Sequence, residues 1–127
     1  GNALRVDALS ISDIDRAAVR IVKLTIDLDE LIRGLRSGIA QSKPWQRQLH
    51  ALLAEADQQM QVLRMTELME KPDFELEDAA VRLAATCRRI SLAIQGSRAD
   101  VFARTGAQAV GKIGSALSRA VVTESRG

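Results

Sequence analysis

The sequence predicts an all-α protein that folds as an antiparallel, up-down-up-down four-helix bundle, and three observations lead to this prediction. Apolar residues make up 46% of the 127 residues but aromatic residues only 2%. A core of aliphatic side chains and alanine favours helices over strands. Four long segments repeat apolar residues at steps of three and four, the period of an amphipathic helix. Both prolines, Pro44 and Pro72, fall between these segments.

The first helical segment is predicted from about Ser12 to Gln41. Hydroxyl and carboxylate side chains between 10 and 15 suit a helix N-cap and first turn, and Gly38 and Pro44 end the pattern. The apolar seam consists of Ile14, Ala17, Ile21, Leu24, Leu28, Leu31, Leu35 and Ile39. Residues 1–11 are expected to form a flexible lead-in, and residues 12–127 a single bundle domain.

The other three segments follow the same rhythm. The second runs from about Trp45 to Glu70, the third from about Glu75 to Gln95, and the fourth from about Ser97 to Thr123. The predicted seam of the second is Leu49, Leu52, Ala56, Met60, Leu63 and Leu68, and that of the third is Leu76, Ala80, Leu83, Cys87, Ile90 and Ile94. The fourth carries Phe102, Ala109, Val110, Ile113, Leu117, Ala120 and Val121. Short connectors make antiparallel neighbours the simplest packing.

The fourth segment is rich in small residues, which leaves two interpretations open. Its small positions are Gly106, Ala107, Gly111, Gly114, Ser115 and Ala116. Interior glycines destabilise a helix by about 0.5–1 kcal/mol each relative to alanine, so something must compensate for them. They either permit close packing of helices inside a narrow bundle or keep one face flat for a partner.

The small formal net charge of +2 conceals a strongly polarised rod. In an antiparallel bundle the first and third connectors lie at one end. Around these connectors, in 33–50 and 88–104, eight basic residues face a single acid, a local charge of +7. The second connector, 67–78, has six acids and one lysine, a local charge of −5. Arg47, Arg98 and Arg104 fall in predicted first turns of helices, where the helix dipole disfavours positive charge.

The basic end also carries the only tryptophan, Trp45. Tryptophan favours the membrane interface, and lysine and arginine are attracted to anionic leaflets. The sequence therefore predicts a membrane-targeting module that docks its basic end on anionic lipids. The predicted lipid-binding residues are Lys43, Trp45, Arg47, Leu49, His50, Ser97 and Arg98. Two of these assignments have alternatives: Trp45 as a cap folded over the bundle end, and Leu49 as a core residue.

Other classes of function find little support. His50 and Cys87 are the only histidine and cysteine, so no metal-ligand cluster is predicted, and Cys87 is expected to be a small buried residue. His50 is expected to be exposed. The glycines of the fourth segment follow no strand and predict no phosphate-binding loop. We therefore predict no enzyme, cofactor or metal. Nucleic acid is disfavoured because the charge covers one end rather than one helix face, and no apolar run is long enough to span a bilayer.

A bundle with a basic, hydrophobic end built by its first and third connectors resembles the membrane-localisation domains of bacterial toxins and effectors, most of all the N-terminal lipid-raft-targeting domains of type III secretion effectors. The resemblance implies that the protein is secreted by a bacterium into a host cell, where it binds phosphoinositides or phosphatidylserine on the cytoplasmic face of the plasma membrane. It assigns lipid contact to Lys43, Trp45, Arg47 and Leu49, and to Ser97 and Arg98. It also implies a secretion chaperone at residues 1–11. Pro44 departs from the pattern.

A second hypothesis assigns the chain to a different class. A helical protein-interaction module, such as a secretion chaperone, an adaptor or an assembly subunit, would use the small-residue face of the fourth segment. This hypothesis predicts a defined oligomer or partner that is lost on bulky substitution of Gly111 or Gly114. The sequence leaves the oligomeric state open.

Overall fold

A computed structural model describes the backbone of residues 2–95 and 97–126 and the side chains of residues 16, 18–95 and 97–123. It consists of four helices: α1, Asn2–Gly38; α2, Pro44–Leu68; α3, Asp73–Gln95; and α4, Val101–Arg126. The described residues contain no strand. The predicted all-α four-helix bundle is therefore confirmed.

Contacts between the helices define an antiparallel arrangement. Arg36 pairs with Asp57, and one of the Asp29 carboxylate oxygens lies 3.8 Å from Arg64, so that α1 and α2 run in opposite directions. Gly111 lies against Ser91 and Gly114 against Cys87, which sets α3 and α4 antiparallel. Gly38 lies against Phe102 and Gly106 against Leu35, which gives α1 and α4 the same relation. These contacts close the up-down-up-down ring.

Helix α1 begins at Asn2, well before the predicted start near Ser12. Residues 2–33 contain no glycine or proline. Capping side chains near Ser10 do not by themselves interrupt a helix, so α1 continues through them. The side chains of 1–15 lie outside the described residues, as do the predicted seam positions Ile14 and Ala17. The flexible character of 1–11 stays a prediction.

Helix α4 begins at Val101, four residues later than predicted. The Asp100 carboxylate accepts a hydrogen bond of 2.9 Å from the Ala103 amide, the usual bond of a helix N-cap. Arg98 consequently lies in the connector and not in a first helical turn. Helix α2 begins with Pro44, whose fixed φ and missing N–H suit the first helical position. Pro44 is thus a helix-initiating residue and not an irregularity within a loop.

The core follows the predicted seams closely in α2 and α3 and less closely in α4. The buried residues of α4 are Ala103, Ala107, Val110, Leu117 and Val121, with Gly114 also buried between them. This seam steps by four and three but is built of small residues at its start. Phe102 and Leu68, both predicted as seam residues, are 52% and 78% exposed. Each lies close to a helix end, where one residue of drift in register moves a side chain off the core.

Candidate functional site at the basic end of the bundle

The first and third connectors meet at one end of the bundle, as predicted. An open cleft of about 760 Å³ lies between the start of α2 and the end of α3. We call it the tip cleft; its lining residues are Lys43, Pro44, Trp45, Gln48, Leu92, Ala93, Ser97 and Arg98. Four of the seven predicted lipid-binding residues, Lys43, Trp45, Ser97 and Arg98, are therefore brought to one surface.

Trp45 caps the bundle end and also lines the tip cleft, while its contact with lipid stays a prediction. Its side chain is half-buried and packs against the hydrophobic core, as a cap over the bundle end would. The same residue lines the tip cleft. Pro44 and the Gln46 side chain start α2 here: Gln46 Oε1 accepts hydrogen bonds from the Lys43 amide at 2.9 Å and the Ser42 amide at 3.0 Å. The indole is thus held by a well-capped first turn.

Lys43 and Arg98 supply the positive charge of the tip cleft. Both side chains are exposed and line the cleft together with its apolar residues. Within the described part of the chain neither takes part in an ion pair. An exposed cation without a carboxylate partner keeps its full attraction for an external anion, screened only by salt.

Arg47 and Arg104 form local hydrogen bonds that the sequence did not predict, and the lipid contact of Arg47 stays a prediction. Arg47 Nη1 donates to the Ser42 carbonyl at 2.7 Å, and Arg104 Nη2 donates to the Ser97 carbonyl at 3.0 Å. Each arginine occupies the fourth position of its helix and reaches back to the connector before it. Their placement against the helix dipole is explained by these bonds, which hold both connectors on the bundle end.

Leu49 and His50 are not among the residues that line the tip cleft. Leu49 is 1% exposed and is part of the core, which confirms the alternative interpretation and removes Leu49 from the predicted set. His50 is half-buried, contrary to the expected exposure. Its Nε2 lies 2.7 Å from the Ile39 carbonyl, and because a carbonyl only accepts, Nε2 carries the hydrogen. His50 thereby ties the end of α1 to α2.

Ser97 lines the tip cleft but uses its hydroxyl locally. The hydroxyl and the amide of Ser97 both donate to the Ile94 carbonyl, at 2.8 Å and 3.1 Å. These bonds satisfy a carbonyl that the end of α3 would otherwise leave unpaired. Ser97 therefore positions the connector, with its donor already engaged. Gly96 lies outside the described residues.

Several cations counted toward the basic end are neutralised along the rod. Arg33 lies 3.1 Å from Asp29, Arg36 lies 3.3 Å from Asp57, and Arg89 lies 3.5 Å from Glu55. These acids fall outside the windows that gave the local charge of +7. The effective charge of the tip is therefore smaller, and the cations that line the tip cleft are Lys43 and Arg98.

Sequence reasoning missed two exposed apolar residues of this end. Leu92 is 55% exposed and lines the tip cleft, and Val101, the first residue of α4, is 79% exposed. Leu92 lies two positions from the seam residues Ile90 and Ile94, a spacing that places it on another face of the helix. That spacing could have indicated that Leu92 is exposed. No such signal existed for Val101, because the predicted start of α4 near Ser97 is four residues too early.

The small-residue face of α4 lies against other helices of the bundle. A Cβ built on Gly114 would lie 2.6 Å from the Cys87 Cβ, and one built on Gly111 would lie 2.9 Å from the Ser91 Cβ. A Cβ on Gly106 would meet the Leu35 side chain. The close-packing interpretation of these glycines is therefore confirmed. The use of this face by a partner stays a prediction.

The searches for other chemistry were negative over the described residues. They contain no group of three or more His, Cys, Asp or Glu side chains arranged to hold a metal ion. None of the helices has a stretch both long and apolar enough to cross a membrane, again over the described part of the chain. Cys87 is buried, as expected, and burial raises the pKa of its thiol to about 12. The absence of catalysis stays a prediction.

Comparison with protein-family models, with curated proteins and with solved structures finds no match for this chain. The resemblance to membrane-localisation domains therefore stays a hypothesis. The predicted chaperone-binding segment, 1–11, lies outside the described side chains. Function is accordingly argued from the geometry of the tip cleft.

Proposed function

We propose that this chain is a non-enzymatic membrane-targeting module that docks end-on to anionic lipid through the tip cleft. The observation that carries the proposal is that one surface combines an apolar lining with two cations that form no ion pair among the described residues. Lys43 and Arg98 line it together with Trp45 and Leu92. Phosphate or carboxylate headgroups suit the cations, and the interfacial zone of a bilayer suits the indole and the leucine.

The expected attachment is weak and reversible. Each lysine or arginine near an anionic leaflet contributes about 1 kcal/mol, and this attraction fades within a Debye length. Two outward cations and shallow insertion of Leu92 and Val101 add up to modest affinity. Trp45 stays partly engaged with the core, so it enters the interface only at its exposed edge. Binding should therefore weaken steeply as salt is raised.

The setting follows from the resemblance. In a secreted bacterial effector, the module would bring a larger protein to the cytoplasmic face of a host plasma membrane, where phosphatidylserine and phosphoinositides supply the anionic surface. Any toxic activity would then reside elsewhere in that protein. The proposal for this chain concerns only the docking step.

Liposome flotation tests the proposal. The wild type should float with phosphatidylcholine vesicles that contain phosphatidylserine or phosphatidylinositol 4,5-bisphosphate, and stay behind with phosphatidylcholine alone. The double variant Lys43→Glu/Arg98→Glu should lose binding. The matched control Lys23→Glu/Lys71→Glu makes the same change in net charge away from the tip and should float like the wild type. Equal loss in both pairs, or no flotation of the wild type, would contradict the proposal.

A second candidate, a protein-interaction module, is favoured by a different surface from the one first considered. The end opposite the tip exposes Leu68 at 78% and Phe74 at 70%, beside the acids of 67–78. A concentration-dependent mass in light scattering that is abolished by Leu68→Ser/Phe74→Ser would support it. Bulky changes at Gly111 or Gly114 no longer test it, because they disturb the contact between α3 and α4.

A further inference from the structure

A second basic surface lies on the side of the bundle, between α3 and α4. It is an open groove of about 620 Å³, which we call the flank groove, and it includes Arg88, Ser91, Gly111, Lys112, Ser115 and Arg119. Two glutamines complete its lining, and none of the described residues that line it is acidic. Three cations from two helices therefore share one hollow.

The groove is lined by hydrogen-bond donors. Gly111 has no side chain, and a Cβ there would be 2.9 Å from the Ser91 Cβ, so α3 and α4 approach closely at the floor of the groove. The half-buried Ser91 and Ser115 contribute hydroxyl groups beside the floor. Guanidinium, ammonium and hydroxyl donors around one hollow form the chemistry that binds phosphate oxygens.

The three cations of the flank groove take part in no ion pair in the described part of the chain. The contrast with the adjacent arginine is direct: Arg89 faces α2 and pairs with Glu55 at 3.5 Å, whereas Arg88 faces the groove. The helix dipole does not account for them, because Arg88 and Lys112 lie in the interiors of α3 and α4, away from the last turns. A cluster of like charges is unfavourable without a bound anion.

The basic surface is longer than a single phosphate requires. Lys112 and Arg119 are seven residues apart on α4, which corresponds to about 10 Å along the helix axis. Arg119 also lines the adjoining hollow of about 410 Å³ with Arg16 and Arg20 of α1. Cations therefore continue around α4, and a ligand that carries several phosphates on one scaffold would meet most of them at once.

We propose that the flank groove binds a polyphosphorylated small molecule of the inositol polyphosphate type, and that it does so independently of the tip cleft. The same phosphates occur on soluble molecules and on phosphoinositide headgroups. The choice of the soluble source rests on the proposed function, because end-on docking through the tip cleft leaves the groove on the side of the rod and not against the membrane.

Calorimetric titration and thermal melting with inositol hexakisphosphate test the proposal. The ligand should bind the wild type and raise its melting temperature. The variant Arg88→Gln/Lys112→Gln should bind about tenfold more weakly for each cation removed, because each loses a charge-assisted hydrogen bond. The matched control Arg89→Gln/Lys71→Gln removes the same charge elsewhere and should bind like the wild type.

Other outcomes decide between sources and exclude alternatives. The tip variant Lys43→Glu/Arg98→Glu should keep its affinity for inositol hexakisphosphate. This result separates a failure of the groove proposal from a failure of the membrane-docking proposal. Flotation with phosphatidylinositol 4,5-bisphosphate vesicles that depends on Arg88 and Lys112 would assign the groove to a lipid headgroup and overturn the soluble source. Equal weakening in the groove and control variants, no binding at all, or tighter binding of an RNA oligomer through Arg88 and Lys112 would overturn the proposal.

Discussion

The guanidinium of Arg47 donates a 2.7 Å hydrogen bond to the carbonyl oxygen of Ser42, five residues earlier in the chain. Arg104 repeats the arrangement on the other connector with the carbonyl oxygen of Ser97. Two arginines that sit unfavourably in first helical turns are therefore engaged in closing the bundle end. The cations that line the tip cleft are Lys43 and Arg98.

Removing the Arg47 guanidinium should destabilise the fold more than it weakens membrane binding. Arg47→Ala loses its bonds to the carbonyls of Gln41 and Ser42 and should lower the free energy of unfolding by about 0.5–1.5 kcal/mol. Urea denaturation followed by circular dichroism measures this change.

The comparison variant is Arg98→Ala, which has no hydrogen bond or ion pair to lose among the described residues. It should unfold like the wild type and float less with anionic vesicles. The division of roles between the two arginines would be wrong if Arg98→Ala proved the less stable variant, or if Arg47→Ala alone abolished flotation.

Two leucines of the same bundle end should respond oppositely to truncation. Leu49 is buried, so Leu49→Ala should reduce the free energy of unfolding by about 2–5 kcal/mol. Leu92 is 55% exposed, so Leu92→Ala should change stability by less than about 0.5 kcal/mol and reduce vesicle binding. Denaturation and flotation on both variants provide the check, and a stability loss for Leu92→Ala equal to that of Leu49→Ala would refute the assignment.

Two glycines should show opposite effects when replaced by alanine. A Cβ on Gly34 has no atom within 4 Å, so Gly34→Ala should raise the free energy of unfolding by about 0.5–1 kcal/mol through reduced chain entropy. Gly114→Ala places its Cβ 2.6 Å from the Cys87 Cβ, and overpacking of this kind costs about 1–3 kcal/mol. Thermal melting of the two variants measures the difference, and stabilisation by Gly114→Ala would show that α3 and α4 are not in close contact there.

The buried thiol of Cys87 should make stability depend on alkaline pH. Burial raises its pKa from 9.0 to about 12, so the folded state holds the proton more tightly than the unfolded state. This contribution to stability is fully present below about pH 9 and is lost as the pH rises toward 12, at up to about 1.4 kcal/mol per pH unit. Cys87→Ala should be less stable overall but show a flatter decline above pH 9 in denaturation curves. An equal slope in both proteins would contradict this origin.

The architecture could be predicted because it depends on a local pattern. Apolar steps of three and four mark amphipathic helices wherever they occur, and short connectors force neighbours to be antiparallel. For the same reason the placement of Lys43, Trp45 and Arg98 at one end followed from the sequence. The α4 seam was harder, because Ala103 and Ala107 carry no strong hydrophobic signal.

What the pattern could not reveal is which partner each side chain meets. Arg47 and Arg98 look equivalent in the sequence, yet one bonds to carbonyl oxygens and the other faces outward. Leu49 and Leu92 are both leucines of amphipathic helices, and they differ in whether the side chain lies on the core face or the solvent face of its helix. The flank groove required the register between α3 and α4, since Arg88 and Lys112 are far apart in the chain and are brought together by the contact of Gly111 with Ser91.

The fluorescence of Trp45 tests the central proposal most directly. Trp45 is the only tryptophan and the chain has no tyrosine, so the emission reports on the tip cleft alone. With phosphatidylserine-containing vesicles the emission should shift to shorter wavelength and be quenched by lipids with brominated acyl chains, and Lys43→Glu/Arg98→Glu should show neither effect. An unchanged, unquenched spectrum at saturating anionic lipid, or the same quenching in the double variant, would contradict docking through the tip cleft.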